Sequence, residues 1–257
     1  AYKRSDSATT SLSAKTINGK KYAFDTEGKM LYGWVDADDP SERLTGDDAW
    51  IEGDYYFGDE NDGAMSLGWR QLSIVDDNYE GIQPGDEFWD EEQDRWFYFQ
   101  TSGKKVKADD DDTLKTKTIN GRKYGFDEYG RMIGNWFSEA TVTDGDGTGY
   151  VTVKEDGKEV VKAASQGDAD YSSSFMYFSN PEDGALVSKG WFKVIPGYYL
   201  HESKYNDGDE YWYYADGDGD LYANVIKTIK GKKYAFDGYG RMIDGLALLR
   251  METKSNG

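Results

Sequence analysis

The chain has 257 residues and a formal net charge of −19, with 49 acidic against 30 basic residues. This charge repels phosphate backbones, so nucleic acid is not an expected partner. The chain contains no cysteine, so disulfides do not stabilise it, and no apolar run approaches the ~18–20 residues that span a bilayer.

Aromatic side chains dominate the apolar content. Apolar residues make up 37% of the sequence, and Tyr, Phe and Trp alone reach 16%. Such rings pack well on the pleated surface of a sheet, which favours strands. The 31 glycines beside only 4 prolines indicate many tight turns between short strands. We therefore predict an all-β fold.

A ten-residue segment occurs three times. It reads TINGKKYAFD at 16–25, TINGRKYGFD at 118–127 and TIKGKKYAFD at 228–237. Gly28, Met30 and Trp34 follow the first copy, and the later copies keep these spacings except at Leu246, where a Trp is expected. Recurrence at fixed spacing is typical of repeat architectures.

Four more divergent copies lie between these three. We call the copies of the ten-residue segment type A, those around 55–57 and 176–178 type B, and those around 96–99 and 211–214 type C. The order along the chain is A-B-C-A-B-C-A. The predicted segments are an N-terminal tail at 1–15, a first A-B-C unit at 16–117, a second at 118–227, and a terminal A repeat with tail at 228–257.

Each copy predicts a short β-hairpin. In the first copy the expected strand runs from Lys21 to Asp25, followed by a turn at Gly28 and a second short strand. A lone hairpin is marginal in water, so we predict a solenoid-like stack in which neighbouring hairpins share a core.

Long inserts interrupt the repeats. They occupy 36–50, 70–94, 137–174 and 193–209. Within the third insert, residues 150–161 alternate around an Asp-Gly pair, which predicts an extra hairpin.

The Gly-Lys-Lys-Tyr-Ala-Phe-Asp segment, followed by Gly-Lys-Met and Gly-Trp, resembles the cell-wall-binding repeat family. That family includes choline-binding repeats of streptococcal surface proteins, glucan-binding repeats of glucosyltransferases and receptor-binding repeats of clostridial toxins. The resemblance implies stacked hairpins with ligands held between successive hairpins. It also implies a secreted or cell-surface protein of a bacterium, with a Gram-positive source expected.

The choline-binding branch implies candidate ligand residues in this chain. In that branch the closing Trp of one repeat and the first and third aromatic residues of the next strand form the wall of a pocket. The B-to-C junctions would have full walls, made of Trp69 with Trp96 and Tyr98, and of Trp191 with Tyr211 and Tyr213. The A-to-B junctions would have poorer walls, made of Trp136 with Phe175 and Tyr177, and of Trp34 with Tyr56. No wall is implied at the C-to-A junctions. Any of these rings could instead be core, because large rings also fill a stack.

An acidic segment in the third insert matches the ligand spacing of an EF-hand calcium loop. The candidate ligands are Asp144, Asp146, Thr148, Tyr150 and Glu155. The flanking sequence is strand-like, so a solvated turn before a hairpin is the alternative. No other cofactor is expected.

Signals for catalysis are sparse. His201 is the only histidine and is expected to be an exposed polar residue, and no nucleophile or phosphate-loop motif is present. The first hypothesis is therefore a non-catalytic module that binds a cell-wall polymer through teichoic-acid choline or glycan. A structural or adhesive spacer that presents the inserts to a protein partner is the alternative, and a glycan-active enzyme is the third. The oligomeric state is left open.

Overall fold

The computed structural model describes residues 12–76, 92–109, 113–142, 148–155 and 157–246. These residues form short strands, which pair in sheets of two or three, and three short helices. The strands are β1 (Lys15–Ile17), β2 (Lys20–Tyr22), β3 (Trp34–Val35), β4 (Tyr55–Tyr56), β5 (Gly68–Val75), β6 (Glu92–Phe99), β7 (Lys115–Ile119), β8 (Arg122–Phe126), β9 (Asn135–Ser138), β10 (Thr141–Val142), β11 (Thr148–Glu155), β12 (Lys158–Ser165), β13 (Phe175–Phe178), β14 (Gly190–Val194), β15 (Tyr211–Ala215), β16 (Val225–Ile229) and β17 (Lys232–Phe236). The helices are α1 (Ala49–Glu52), α2 (Ala169–Ser173) and α3 (Glu202–Asp207). The prediction of an all-β fold built from hairpins is confirmed.

The chain divides into two compact units. The first unit comprises Ala1–Asn135 and Phe178–Leu186, and the second comprises Trp136–Tyr177 and Val187–Gly257. The repeat boundaries given above describe the periodicity of the sequence and stay a prediction.

The type A segments form hairpins of their own. β1 pairs with β2, β7 with β8 and β16 with β17, each around a two-residue turn. In the first turn Asn18 and Gly19 have φ values of 50° and 81°, as a two-residue hairpin turn with the right-handed twist of the strands requires. This hairpin at the Asn-Gly pair precedes the turn that we expected at Gly28. The turn at Gly28 is also present, but its hairpin is reduced to a single antiparallel bridge between Phe24 and Met30.

A second kind of hairpin joins consecutive copies. The strand that carries the closing Trp pairs with the aromatic strand of the next copy: β3 with β4, β5 with β6, β9 with β13 and β14 with β15. Each insert is therefore the loop of such a hairpin. In the described part of the second insert the strands are longer, because β5 and β6 pair over eight residues each. The first carries α1, and the fourth carries α3.

The extra hairpin predicted in the third insert is present. β11 and β12 pair antiparallel, with Glu155 opposite Lys158, and β10 adds a third strand beside β11. The helix α2 follows this sheet within the same insert.

Successive copies stack through one repeated contact. In five copies the residue two positions after the turn glycine donates its backbone N–H to a carbonyl of an earlier copy, as Met65 does to Lys21 at 2.8 Å and Met132 to Trp96 at 2.8 Å. The next turn glycine then packs on that residue's side chain. A Cβ atom built on Gly103 would lie 2.8 Å from Met65 Cγ. Only glycine fits there, because the position combines a positive φ with this close approach.

His201 in the second unit differs from our expectation. It is 6% exposed, and its ring stacks on Tyr239 with centroids 3.7 Å apart, whereas we expected an exposed residue. Its Nδ1 atom is buried with no hydrogen-bond partner among the described residues. Burial lowers the pKa of His201 to about 4, and Arg241 acts in the same direction.

Replacing Gly103 with Ala is expected to destabilise the first unit by about 2–3 kcal/mol, since both the positive φ and the contact with Met65 are violated. Gly121→Ala is the matched control, because Gly121 has φ +81° but nothing within 4 Å of an added Cβ. The control should lose only about 1 kcal/mol. Urea unfolding measures both free energies, and equal losses would contradict the stacking contact.

Acid is expected to destabilise the second unit through His201. The unfolded chain protonates this residue near pH 6.5 and the folded chain only near pH 4, so the unfolded state binds more protons across this window. The free energy of unfolding therefore falls as the pH falls, by about 1–3 kcal/mol in total. His201→Phe keeps a ring on Tyr239 and should remove this part of the pH dependence. Unfolding curves at several pH values test this, and equal slopes in both proteins would refute it.

Candidate ligand-binding site

Trp69 lies in a cluster of rings in the first unit. It stands opposite Tyr98 in the ladder of β5 and β6, with ring centroids 5.2 Å apart. Trp96 lies two residues before Tyr98 on the same face of the strand, and its ring is perpendicular to Trp69 at 88° and 6.2 Å. The next hairpin, β7–β8, adds Tyr124 at 4.9 Å and Phe126 at 5.7 Å. We call the group of Trp69, Trp96 and Tyr124 the first aromatic corner.

The second unit contains the same arrangement around Trp191. Trp212 stands perpendicular to it at 88° and 6.3 Å, and Tyr234 of β17 lies at 4.8 Å. Tyr214 at 5.0 Å and Phe236 at 5.7 Å complete the group. We call Trp191, Trp212 and Tyr234 the second aromatic corner. Each centroid distance agrees with its counterpart in the first unit to within 0.2 Å.

The indoles of the two corners are only partly covered, whereas Tyr124 of the first corner is buried. Trp69, Trp96 and Trp191 are half-buried, and Trp212 is 43% exposed. Beneath the first corner, Phe126 is fully buried. Two perpendicular indoles that retain solvent-accessible surface present ring faces in two directions, which suits a compact cation or the apolar face of a sugar.

The predicted partners of Trp191 are wrong by one residue. Tyr213 stands opposite Phe192 in the ladder and is fully buried, and Tyr211 stands opposite Val194. Because side chains alternate along a strand, a shift of one residue moves a ring to the other face of the sheet. Trp212 and Tyr214 therefore take the positions that we assigned to Tyr211 and Tyr213. The spacing to the turn glycine could have predicted the correct register. Trp96 precedes Gly103 by seven residues, and Trp212 precedes Gly219 by the same number.

The implied walls did not include the tyrosines of the type A hairpins. Tyr124 and Tyr234 belong to type A hairpins and each lies against a Trp from two copies earlier. Because side chains alternate along a strand, Tyr124 points to the opposite face from its neighbour Lys123. The sequence signal was the Tyr-x-Phe pattern of the type A segment.

A carboxylate lies beside the first corner. The indole N–H of Trp96 donates to Glu182 Oε2 at 3.4 Å. Glu182 belongs to the first unit through the segment Phe178–Leu186. Sequence analysis missed this residue, which lies 86 positions from Trp96.

The other two predicted walls are closed. The structure brings Trp34 to 5.0 Å from Tyr56, and Trp34 is only 8% exposed. It brings Trp136 to 5.2 Å from Tyr177 and 6.5 Å from Phe175, and Trp136 is 6% exposed. Their rings therefore serve as core.

Backbone within or directly after an insert covers both closed walls. A Cβ atom on Gly53, which follows α1, would lie 2.8 Å from the Trp34 ring, so this backbone packs directly on the indole. In the second unit the Trp136 indole N–H donates to the carbonyl of Ile195 at 2.9 Å. Phe192 and Tyr213 pack on the same Trp136 ring, at 5.7 Å and 5.2 Å.

The calcium prediction falls mostly outside the described residues. Asp144 and Asp146 lie there, as do the side chains of Thr148 and Glu155. Tyr150 is described, and it is 44% exposed on β11. Within the described part of the chain, no group of three or more His, Asp or Glu residues is arranged to hold a metal ion. The calcium loop stays a prediction.

The comparison with known proteins finds similarity to solved structures. No family model and no curated protein matches the chain. A CbpF complex with ipratropium is 22% identical with a TM-score of 0.42, over 94% of this chain and 70% of that one. Choline binding protein F from Streptococcus pneumoniae is 23% identical with a TM-score of 0.32, over 94% and 82%. The modular autolysin LytC from Streptococcus pneumoniae, in complex with a synthetic peptidoglycan ligand, is 16% identical with a TM-score of 0.28, over 91% and 42%.

The solved structures similar to this chain thus include choline binding protein F. The fold and the site define an all-β hairpin-repeat protein with two aromatic corners. None of the helices in the described residues has the length and apolar character needed to cross a membrane.

Proposed function

We propose that this chain is a non-catalytic binding module that holds choline-type cations at its two aromatic corners and thereby attaches to a bacterial surface polymer. The observation that carries the proposal is the near-identical pair of corners, each with two perpendicular, partly exposed indoles and a tyrosine. Rings that serve only as core are covered, as Trp34 and Trp136 are.

The chemistry of the corners favours a quaternary ammonium. Its charge is attracted by the faces of the rings, with ~0.5–2 kcal/mol per contact, and its methyl groups pack on the same surfaces. The net charge of −19 lowers the potential around the molecule and favours a cationic ligand over an anionic one. At the first corner Glu182 adds a negative charge beside Trp96.

A single corner gives weak binding. A few ring contacts correspond to a dissociation constant in the range of about 1 mM. A polymer that repeats the ligand along its length can engage both corners, and the second engagement gains from the high effective concentration created by the first. Teichoic-acid choline is such a repeated ligand, and this partner implies a location at the cell surface. A glycan is the alternative ligand, since a sugar face also stacks on an indole.

Choline is expected to quench or shift the tryptophan fluorescence with two sites per chain, each with a dissociation constant of about 1 mM. Trp96→Ala should remove the first site and Trp212→Ala the second, and the double variant should bind none. Isothermal titration or equilibrium dialysis gives the stoichiometry.

Two controls accompany this titration. Tyr150→Ala removes an exposed ring far along the chain from both corners and should leave both sites intact. The neutral isostere 3,3-dimethyl-1-butanol should bind at least tenfold more weakly than choline. Two unchanged sites in the double variant would disprove the proposal, and saturation by glucan fragments but not by choline would replace the cation with a sugar.

The two corners are expected to respond differently to charge removal. In a Trp212→Ala background, which retains the first corner alone, Glu182→Gln should weaken choline binding about two- to fivefold, because a partly solvated charge contributes modestly. Added salt should reduce this difference in choline affinity, because it screens the charge of Glu182. In a Trp96→Ala background the same change should have no effect on the second corner. An equal loss in both backgrounds would show that Glu182 acts on the fold and not on the ligand.

A further inference from the structure

Lys105 is a buried lysine whose ammonium group lies among aromatic rings. Its residue exposure is 2%. The ammonium donates to the carbonyl of Trp50 at 2.6 Å and approaches the carbonyl of Ile51 at 3.4 Å. It stands 5.1 Å from the ring centroid of Trp34 and 5.8 Å from that of Phe97. All of these residues belong to the first unit.

The position of Lys105 in the repeat makes this side chain unusual. It lies two residues after the turn glycine, where the other six copies carry an apolar residue. Those residues are Met30, Met65, Met132, Leu186, Leu221 and Met242. The counterpart in the second C copy, Leu221, is also buried. One copy has therefore replaced an apolar side chain by a cation without exposing it.

Ring faces and carbonyl dipoles hold this ammonium. No carboxylate of the described residues lies within ion-pair distance of it, although the Asp54 carboxylate lies 3.9 Å from Lys104 and 3.7 Å from Lys107. Burying an ammonium without a direct counter-ion is unfavourable unless hydrogen-bond acceptors and ring faces compensate. Burial lowers the pKa of Lys105 to about 7, with Lys107 and Arg131 acting in the same direction and Asp54 and Asp127 opposing it.

We propose that the aromatic wall at Trp34 is a further site for a primary amine, which the chain occupies with the amino group of its own Lys105. The Trp34 and Phe97 faces and the carbonyl groups of Trp50 and Ile51 form the site. Without the lysine side chain it takes a small primary alkylammonium ion. The inference concerns a different set of rings from the proposed function and does not depend on it.

Chemical rescue tests this site. Lys105→Ala keeps the Cβ atom, so n-propylammonium supplies the missing three carbons and the ammonium. It should raise the thermal midpoint of the variant by about 2–4 °C over its effect on the unchanged protein. Neutral n-propanol at the same concentration should not raise the thermal midpoint of the variant. Equal effects of the amine and the alcohol, or no effect of either on a folded variant, would overturn the proposal.

A second variant covers the case in which Lys105→Ala does not fold. The chain has no cysteine, so Lys105→Cys places one unique thiol in the protein. Unfolded protein alkylated with bromoethylamine carries a sulfur analogue of lysine at this position, whereas 1-iodopropane gives a neutral side chain of equal length. The ammonium form should refold to the thermal midpoint of the unchanged protein and the propyl form to a lower one. If the propyl form refolds with an equal or higher thermal midpoint, the site prefers a methyl group to an amino group at this position, and the proposal is wrong.

Discussion

The contact between a turn glycine and a side chain of the preceding copy, present at Gly63, Gly103, Gly130, Gly184 and Gly240, fixes the spacing of the copies that it joins. At Gly103 the neighbour is Met65, and at Gly130 it is Lys105. A backbone hydrogen bond, such as that from Met132 to Trp96, sets the register of the same contact. Because this pair of interactions recurs, rings carried on successive hairpins meet at constant distances. The two aromatic corners agree closely for this reason, although the inserts around them differ.

The same ring position serves either as core or as a candidate site, depending on what covers it. Trp34 and Trp136 are covered by backbone within or directly after an insert, and both are nearly inaccessible. Trp69 and Trp191 have equivalent places at the end of a type B copy and remain partly exposed. The segments that cover each ring thus decide which walls can accept a ligand. At the closed wall of Trp34, the side chain of Lys105 also packs against the ring.

The repeat frame and the all-β fold could be predicted because glycine, methionine and tryptophan spacings are local in sequence. The meeting of Trp69 with Trp96 and Tyr98 followed from the same frame. The partners of Trp191 did not follow from the frame, because a shift of one residue within the Tyr-rich strand moves each side chain to the other face of the sheet. Glu182 and Lys105 could not be placed from a single copy, since each acts on rings from a different part of the chain. Lys105 nevertheless left a sequence signal as the one charged residue at an otherwise apolar repeat position.

The inserts all lie in the loops of hairpins whose strands begin at the closing Trp. Trp34 opposite Tyr56 and Trp191 opposite Tyr214 hold the base of each loop in register, whatever its length. Such loops can lengthen, shorten or acquire secondary structure while the stack beneath them is conserved in geometry, as α1 in one loop and the sheet β10–β12 in another illustrate. The architecture therefore separates a constant scaffold from a set of variable surfaces, and new peptide segments grafted at these loop tips would inherit an anchoring point without rebuilding the core.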